Sequence, residues 1–410
     1  NRDQNKRFKM GKIAEDNSNK IYLTDDNPRY ENPNKIRNDI KNGIKRKKVI
    51  EIANRSKAIL KAIEDLNSGE ILLIAGKGHE KVQDIGKRKI YFSDKEIILK
   101  SIKKKNLFLS NNLKINILKE VSKNKKFQSS IILRHAQINS NDIKKNDIFF
   151  AIKGKKHDGN KFLKDSFKRG ASLAVVNKIK NNYNKNRQIK VVDSLKFLTD
   201  ISRIFRENIN TKIIAITGSC GKTTLKELLG NSLKKISKII ISKKSFNNKY
   251  GVPLSLFNLN QNDDYGVLEV GMDKKGEIDY LSNIIRPDVS VITNINYAHA
   301  KNFKNINQIA LAKSEIIQNT KPKGYVVLNA DDKFFKLHKR IAIKNNLNIV
   351  SFGIQNPSSD IKLINLKRKG TNYQINIKLK DYKKNFLISN NFQNNILNTL
   401  AALAVMSIFM

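Results

Sequence analysis

Residues 213–230 read IIAITGSCGKTTLKELLG, and their reading decides the fold. The run KIIAIT (212–217) is apolar and β-branched and predicts a strand, while TTLKELLGNSL (223–233) carries apolar residues at helical spacing. Between them lie Gly218, Ser219, Cys220 and Gly221, a short phosphate loop. Its two glycines let backbone N–H groups turn inward around phosphate oxygens. Lys222 adds a positive point charge for the β- and γ-phosphates; Thr223, followed by Thr224, offers a hydroxyl to Mg²⁺. The helix points its positive end at the same anion. An ordinary glycine-rich turn lacks this strand–loop–helix frame, so ATP and Mg²⁺ are the expected ligands.

Working outward, strand, loop and helix recur from about residue 209, as in an open parallel sheet, whose sites gather beyond the C-terminal strand ends. YGVLEVG (265–271) leaves Glu269 at such an end, where a carboxylate suits Mg²⁺. DVSVITNINYAHA (288–300) is a further strand with Asn294 and His299 in the loop after it. SFNNKYGVPLS (245–255) sets Asn247 and Asn248 before a Gly-Val-Pro turn, and AKSEI (312–316) puts Lys313 on a helix.

At 410 residues the chain has room for about three domains with sizeable cores. A net charge of +44 first suggests nucleic acid. The lysines, however, run through the whole chain alongside Asn and Ile, aromatics are only 7%, and no RNA-binding or zinc-finger pattern occurs. A solvated basic surface without a nucleic-acid partner is therefore expected. The single cysteine, Cys220, excludes an intrachain disulfide and fits a reducing, cytoplasmic setting. No signal peptide or membrane-length apolar run is visible, so no membrane insertion is expected. The chain opens on Asn within a polar stretch and closes on LNTLAALAVMSIFM (397–410), which reads as a cut-off buried helix; both suggest a piece of a longer polypeptide.

Two further regions precede the phosphate loop. Residues 1–104 alternate IYLTD (strand), PNKIRNDIKNGI and NRSKAILKAIEDLN (helices), ILLIAG (strand) and SDKEIILKSIKKK (helix). A Lys/Asn-rich join at 105–128 reads as a linker. Residues 129–208 form a small mixed unit with DIFFAIKG, the helical NKFLKDSFKRGA and the strand SLAVVN.

In chain order, TGSCGKTT, NNKYGVP, LEVGM, TNINYAHAKNF, AKSEI and LNADD resemble the Mur ligases of peptidoglycan synthesis. The NNxxGVP and EVGM forms are most similar to the branch that adds D-alanyl-D-alanine to UDP-N-acetylmuramoyl-tripeptide. The resemblance covers roughly residues 130–410. It implies an ATP-dependent, ADP-forming amide ligase working through an acyl phosphate. Lys222 and Thr223 would hold ATP and Mg²⁺, Glu269 and His299 the metal, and Asn294, Asn329, Asp331 and Asn395 (in NNILNTLAA) the nucleotide. Lys313 sits where many members carry a carbamylated lysine. Ser140, Asn247 and Asn248 would face the UDP-sugar substrate. Residues 129–208 resemble the family's first, UDP-sugar-gripping domain, with one departure: Ser140-Asn141 stands where the family has Ser or Thr followed by Arg.

The first hundred residues resemble the third domain of a sister branch, the one that adds the third amino acid. NRDQNKR, TDDNPRYENP, EIANRSKAI and IAGKGHEKVQDIG carry this likeness. It implies meso-diaminopimelate as a partner, contacted by Arg2, Asp26, Asn27, Arg29, Gly76 and Glu80. The chemistry is consistent: a guanidinium pairs a carboxylate bidentately, and a carboxylate answers the distal ammonium. AGKGHE is not a second phosphate loop, since it lacks the upstream glycine spacing and a Ser/Thr after the lysine. The expected fold is thus α/β throughout: a Rossmann-like C-terminal ligase domain (1–104), a small mixed α/β UDP-sugar-binding domain (129–208), and a P-loop parallel-sheet ATPase domain (209–410). Two other classes stay open, a generic P-loop ATPase and a non-catalytic amino-acid-binding module.

Overall fold

Buried β-branched runs alternating with amphipathic helices give this chain its α/β character, and they do so in two compact units, Asn1–Leu109 and Ser110–Met410. The computed structural model describes residues 3–67, 69–123, 131–154, 157–243, 246–297, 302–379, 382–389 and 396–409.

The first unit contains α1 (Asn5–Asn17), β1 (Ile21–Leu23), α2 (Pro33–Lys41), β2 (Val49–Glu51), α3 (Arg55–Asp65), the strands β3 (Val82–Asp84) and β4 (Lys89–Tyr91), and the start of α4 (Asp94–Ser122). β1 and β2 pair in parallel, and β3 and β4 pair antiparallel. Local sequence sets the helix starts. Asn32 accepts from the Asn34 N–H with Pro33 in the first turn, and Asn54 accepts from the Lys57 N–H. The apolar core is small (Ile21, Leu23, Ala58, Ile59, Ala62, Ile63), and buried arginine pairs supplement it. Arg55 grips Asp94 at 2.8 and 2.7 Å, Arg7 reaches Glu31 and Asp39, and Arg37 bonds Glu51 at 2.8 Å and pairs with Asp25.

Two expectations need correction here. ILLIAG (71–76) forms no strand: no neighbouring strand pairs with it, and Ile71 and Leu73 lie exposed. The join at 105–128 is no loose linker either, because α4 continues through it to Ser122; residues 124–128 lie outside those described. The polar composition hides the helix, yet Ile115 and Leu118, one turn apart, are buried in the second unit's core. The neighbouring Lys114, also buried, lays its ammonium over Phe205 (5.3 Å) and Phe257 (5.5 Å).

The second unit begins with a four-stranded parallel sheet in the order β5 (Ala136–Gln137), β6 (Ile148–Phe150), β7 (Leu173–Val176), β8 (Gln188–Lys190), with the short α5 (Leu163–Lys168). Then come α6 (Ser194–Glu207) and a nine-stranded sheet. Its strands are β9 (Lys212–Thr217), β10 (Ile239–Ile241), β11 (Tyr265–Glu269), β12 (Val289–Ile292), β13 (Tyr325–Asn329), β14 (Asn348–Gly353), β15 (Ile361–Lys369), β16 (Asn372–Leu379) and β17 (Tyr382–Ser389). They lie in the order β10-β11-β9-β12-β13-β14-β15-β16-β17. Pairing is parallel from β10 to β15, and β15–β17 close the edge as antiparallel strands that the sequence reading did not anticipate.

The remaining helices are α7 (Lys222–Leu233), α8 (Gly251–Phe257), α9 (Glu277–Ile285), α10 (Ile306–Gln318), α11 (Phe335–Lys344) and α12 (Ile396–Phe409). The closing α12 is buried against the sheet, as its apolar sequence suggested. Among the described residues no helix is long and apolar enough to cross a membrane.

Both sheets of the second unit share one apolar cluster through α6 and α8. Phe257 meets Phe150 edge-on at 6.3 Å and Phe205 at 5.7 Å, and the Asn258 amide bonds both backbone groups of Ala136 (2.6 and 3.0 Å). Below the large sheet, buried Arg206 bonds the carbonyls of Ile285, Thr211 and Arg286 and the carboxylate of Asp288 at 2.8–3.1 Å. Asp288 in turn accepts from the Ile213 N–H, which fixes where β9 begins.

Candidate active site

β9 lies between β11 and β12, the place where the strand order reverses, and its C-terminal end opens into the phosphate loop. Gly218 takes φ +148°, and a Cβ there would come within 1.9 Å of the Thr293 hydroxyl; the loop can cross β12 only as glycine. Gly221 takes φ +83° immediately before α7, and a Cβ would meet the Asn398 amide at 2.7 Å. The loop is braced by the chain after β12. Ser219 N–H bonds Asn294 O (2.9 Å), Cys220 N–H bonds Asn294 Oδ1 (3.0 Å), and the Thr293 hydroxyl donates to Cys220 O (2.7 Å). Ser219 Oγ also exchanges hydrogen bonds with Asn296 (2.8 and 2.9 Å).

Two lysines converge on one carbonyl in this loop. Lys222 Nζ lies 2.8 Å and Lys313 Nζ 3.0 Å from Gly218 O. Lys313, from the middle of α10, is fully buried. Burial first, and the neighbouring charge of Lys222 second, bring its amine down to about 7. Both causes favour the neutral amine over the ammonium at Lys313.

On the other side of the loop, Glu269 ends β11 almost fully buried. Thr223 Oγ1 donates to its Oε2 at 2.8 Å, and Asn247 Nδ2 donates to its Oε1 at 2.8 Å. Threonine hydroxyl, carboxylate and amide carbonyl are hard oxygen donors, the set that suits Mg²⁺. Among the described residues no group of three His, Cys, Asp or Glu side chains forms a metal cluster. His299, Arg2 and Asn395 lie outside the described residues.

The other expected residues divide. Asn247 joins the site. Asn248 caps α8 by accepting from the N–H groups of Tyr250 and Gly251 (3.1 Å each). Asn294 binds the phosphate loop itself. Asn329 is buried and bonds Thr293 O at 3.4 Å, and Asp331 accepts from the N–H groups of Ile354, Gln355 and Asn356, so it anchors the turn after β14. Thr224 is exposed on α7. Ser140 is buried in the small sheet's first turn, where Arg169 Nη2 donates to neighbouring Asn141 Oδ1 at 3.3 Å. The sequence reading missed Thr293, Asp332 (accepting from Ile295 N–H, 2.8 Å) and Asn398. All three lie inside stretches singled out above, TNIN, LNADD and NNILNTLAA.

In the first unit, Asn27 is a junction. It donates to Glu80 (2.8 Å) and accepts from Asp84 N–H (3.0 Å) and Lys77 (3.4 Å). Gly76 (φ +113°) comes close to the Asp26 carboxylate, and a Cβ would lie 3.1 Å from it. Arg29 is exposed with φ +53°. Asp26, Asn27 and Arg29 line a cavity of about 700 Å³ together with Arg7 and Arg37, whereas Gly76 and Glu80 are not in its wall.

Three family models match the chain. Residues 216–406 match the Mur ligase middle domain, residues 133–206 the Mur ligase family catalytic domain, and residues 1–78 the Mur ligase glutamate ligase domain. The chain belongs to the Mur ligase family. The UDP-N-acetylmuramoyl-tripeptide--D-alanyl-D-alanine ligase of Rickettsia prowazekii is 34% identical over 285 residues, which are 68% of this chain and 62% of that protein. The same-named ligase of Buchnera aphidicola subsp. Acyrthosiphon pisum is 36% identical over 230 residues, 56% of this chain and 50% of that protein. Among solved structures, MurF from Acinetobacter baumannii superposes with a TM-score of 0.61 at 28% identity, covering 71% of this chain and 63% of that one. MurF from Thermotoga maritima in complex with ADP gives 0.57 at 28%, covering 67% and 63%. This Mur ligase chain spans about half to three-fifths of the length of these curated relatives. Its α/β architecture matches that of the solved MurF structures, with the phosphate loop inside the middle-domain match and Ser140 inside the match at 133–206.

Proposed function

We propose that the second unit is the UDP-sugar-binding and ATP-binding part of a ligase that joins D-alanyl-D-alanine to UDP-N-acetylmuramoyl-tripeptide. The observation that carries this reading is the junction of Lys222, Thr223, Glu269, Asn247 and Lys313 around a braced phosphate loop. The loop N–H groups, the start of α7 and Lys222 bind and orient the ATP phosphates. Thr223 and Glu269 would hold Mg²⁺, which offsets charge on the transferring phosphoryl group. The substrate carboxylate oxygen forms a bond to the γ-phosphorus while the bond to ADP breaks. The amine of D-alanyl-D-alanine then attacks the acyl carbon, loses a proton, and phosphate leaves with the former carboxylate oxygen. Two anions must meet in the first step, and Lys222 lowers that repulsion. Burial keeps part of Lys313 as the neutral amine that adds CO₂, which supports a carbamate at this position. Incubation with ¹⁸O-carboxylate UDP-N-acetylmuramoyl-tripeptide should move one ¹⁸O into the released phosphate; unlabelled phosphate would reject the acyl-phosphate route.

We read the first unit as an amino-acid-binding unit of the diaminopimelate-adding branch, so that the chain joins parts of two ligases. Arg29 and the Asn27–Glu80 junction support that reading, the guanidinium for a carboxylate and Glu80 for the distal ammonium. Calorimetry with meso-diaminopimelate and lysine tests it. Selective binding of meso-diaminopimelate is expected, and equal or absent binding would reject it.

A further inference from the structure

The N-terminal edge of the large sheet, opposite the phosphate loop, holds a cavity of about 560 Å³. It collects the C-terminal ends of four helices, α6, α9, α10 and α11. The strand β9 separates it from the loop by six residues, about 20 Å of extended chain. Helix C-termini carry negative partial charge and would repel an anion. At the end of α9 that charge is answered from below, where Arg206 takes the carbonyls of Ile285 and Arg286; Lys321 in the cavity wall adds a cation and pairs with Asp288 at 3.3 Å.

Two further guanidinium groups of the wall, Arg203 and Arg286, have no hydrogen bond or ion pair among the described residues. Glu207 is the one carboxylate in the wall. Arg286 is held with φ +44° at the end of α9, an unusual conformation for a side chain of this size. The side chains of Gln318 and Asn346 also face the cavity without bonds among the described residues, offering amide donors and acceptors. A cavity of this volume fits a small metabolite.

We propose that this cavity binds a phosphorylated polyhydroxy compound, a sugar phosphate in chemical class. Arg203 and Arg286 fork onto the phosphate, and Gln318 and Asn346 meet the hydroxyls. The site is separate from the ligase site and does not depend on that assignment. Both arginines are exposed, so their replacement leaves no buried gap.

Glucose 6-phosphate is the first probe, read by calorimetry and thermal unfolding, with inorganic phosphate and glucose as partial probes. One molecule per chain should bind. Inorganic phosphate should bind at least about tenfold more weakly, and glucose not at all, because the anion contacts dominate. In R203Q/R286Q the affinity should fall at least about tenfold while the ligand-free melting temperature stays unchanged. Lys222→Ala should leave binding intact. Glucose 6-phosphate binding that survives R203Q/R286Q, disappears in Lys222→Ala, or is absent in the unmodified protein would overturn the proposal. Should the double variant unfold, Arg203→Gln alone decides by the same comparison.

Discussion

The two candidate sites of this chain are built in different ways. Around the phosphate loop, the backbone does most of the positioning: two glycines at positive φ, a strand end and a helix start place Lys222 and Thr223 within a few residues of each other. In the first unit, a side chain does the positioning: Asn27 comes from one loop, Lys77 and Glu80 from a second and Asp84 from β3, and they meet through hydrogen bonds to the Asn27 amide. A site made by backbone geometry leaves a short contiguous sequence signature. A site made by cross-chain side-chain bonds leaves only scattered residues.

The sharpest way to break the comparison is Lys222→Ala. Removing that charge should lower substrate-dependent phosphate release on the order of 10²–10³-fold without lowering the melting temperature. A loss of similar size from Asn27→Ala would erase the distinction. Next is Arg206→Ala, which leaves three carbonyls without their side-chain donor and takes from Asp288 its buried guanidinium, leaving it the Ile213 N–H and Lys321. It should cost about 3–5 kcal/mol in urea unfolding of the second unit, as expected on removing one side of a buried ion pair.

Glu269→Gln keeps a partner for Thr223 but removes the charge, and should raise the Mg²⁺ concentration for half-maximal activity about 10–100-fold. Arg29→Ala should weaken meso-diaminopimelate binding about tenfold in calorimetry, with no effect on ATP binding.

The smallest effect concerns Lys114. Burial brings its amine down to about 8 from 10.5, so the folded state favours the neutral form. Its stability contribution is complete above pH 10.5, declines as pH falls towards 8, and is flat below. Asp263, pushed up by burial, and His135, pushed down by burial and by Lys114, interact with it electrostatically. Lys114→Met should flatten stability between pH 8 and 10.5 and raise the melting temperature near pH 7 by about 2–4 °C.

Sequence patterning revealed the central sheet because its strands are continuous apolar runs buried on both faces, as in KIIAIT and DVSVI. It also pointed to Lys222, Thr223 and Glu269 as neighbours, and the structure brings them together because strand ends and a glycine loop position them. It overread ILLIAG, since an apolar run becomes a strand only when a neighbour supplies hydrogen bonds. It underread α4, where lysines such as Lys114 occupy buried positions through their aliphatic stems and aromatic contacts. The bracing roles of Asn294, Asp331 and Asn248 were hidden for another reason. An amide or carboxylate at a strand end has the same one-letter code whether it meets a ligand or caps a backbone turn.

The central claim, that the phosphate loop drives amide ligation, is tested most directly by phosphate release from ATP and Mg²⁺ with UDP-N-acetylmuramoyl-tripeptide and D-alanyl-D-alanine supplied together and singly, in the unmodified protein and in Lys222→Ala. Release that requires both substrates and is lost in the variant is the predicted result. Release indifferent to either substrate would contradict the account and leave a generic ATPase.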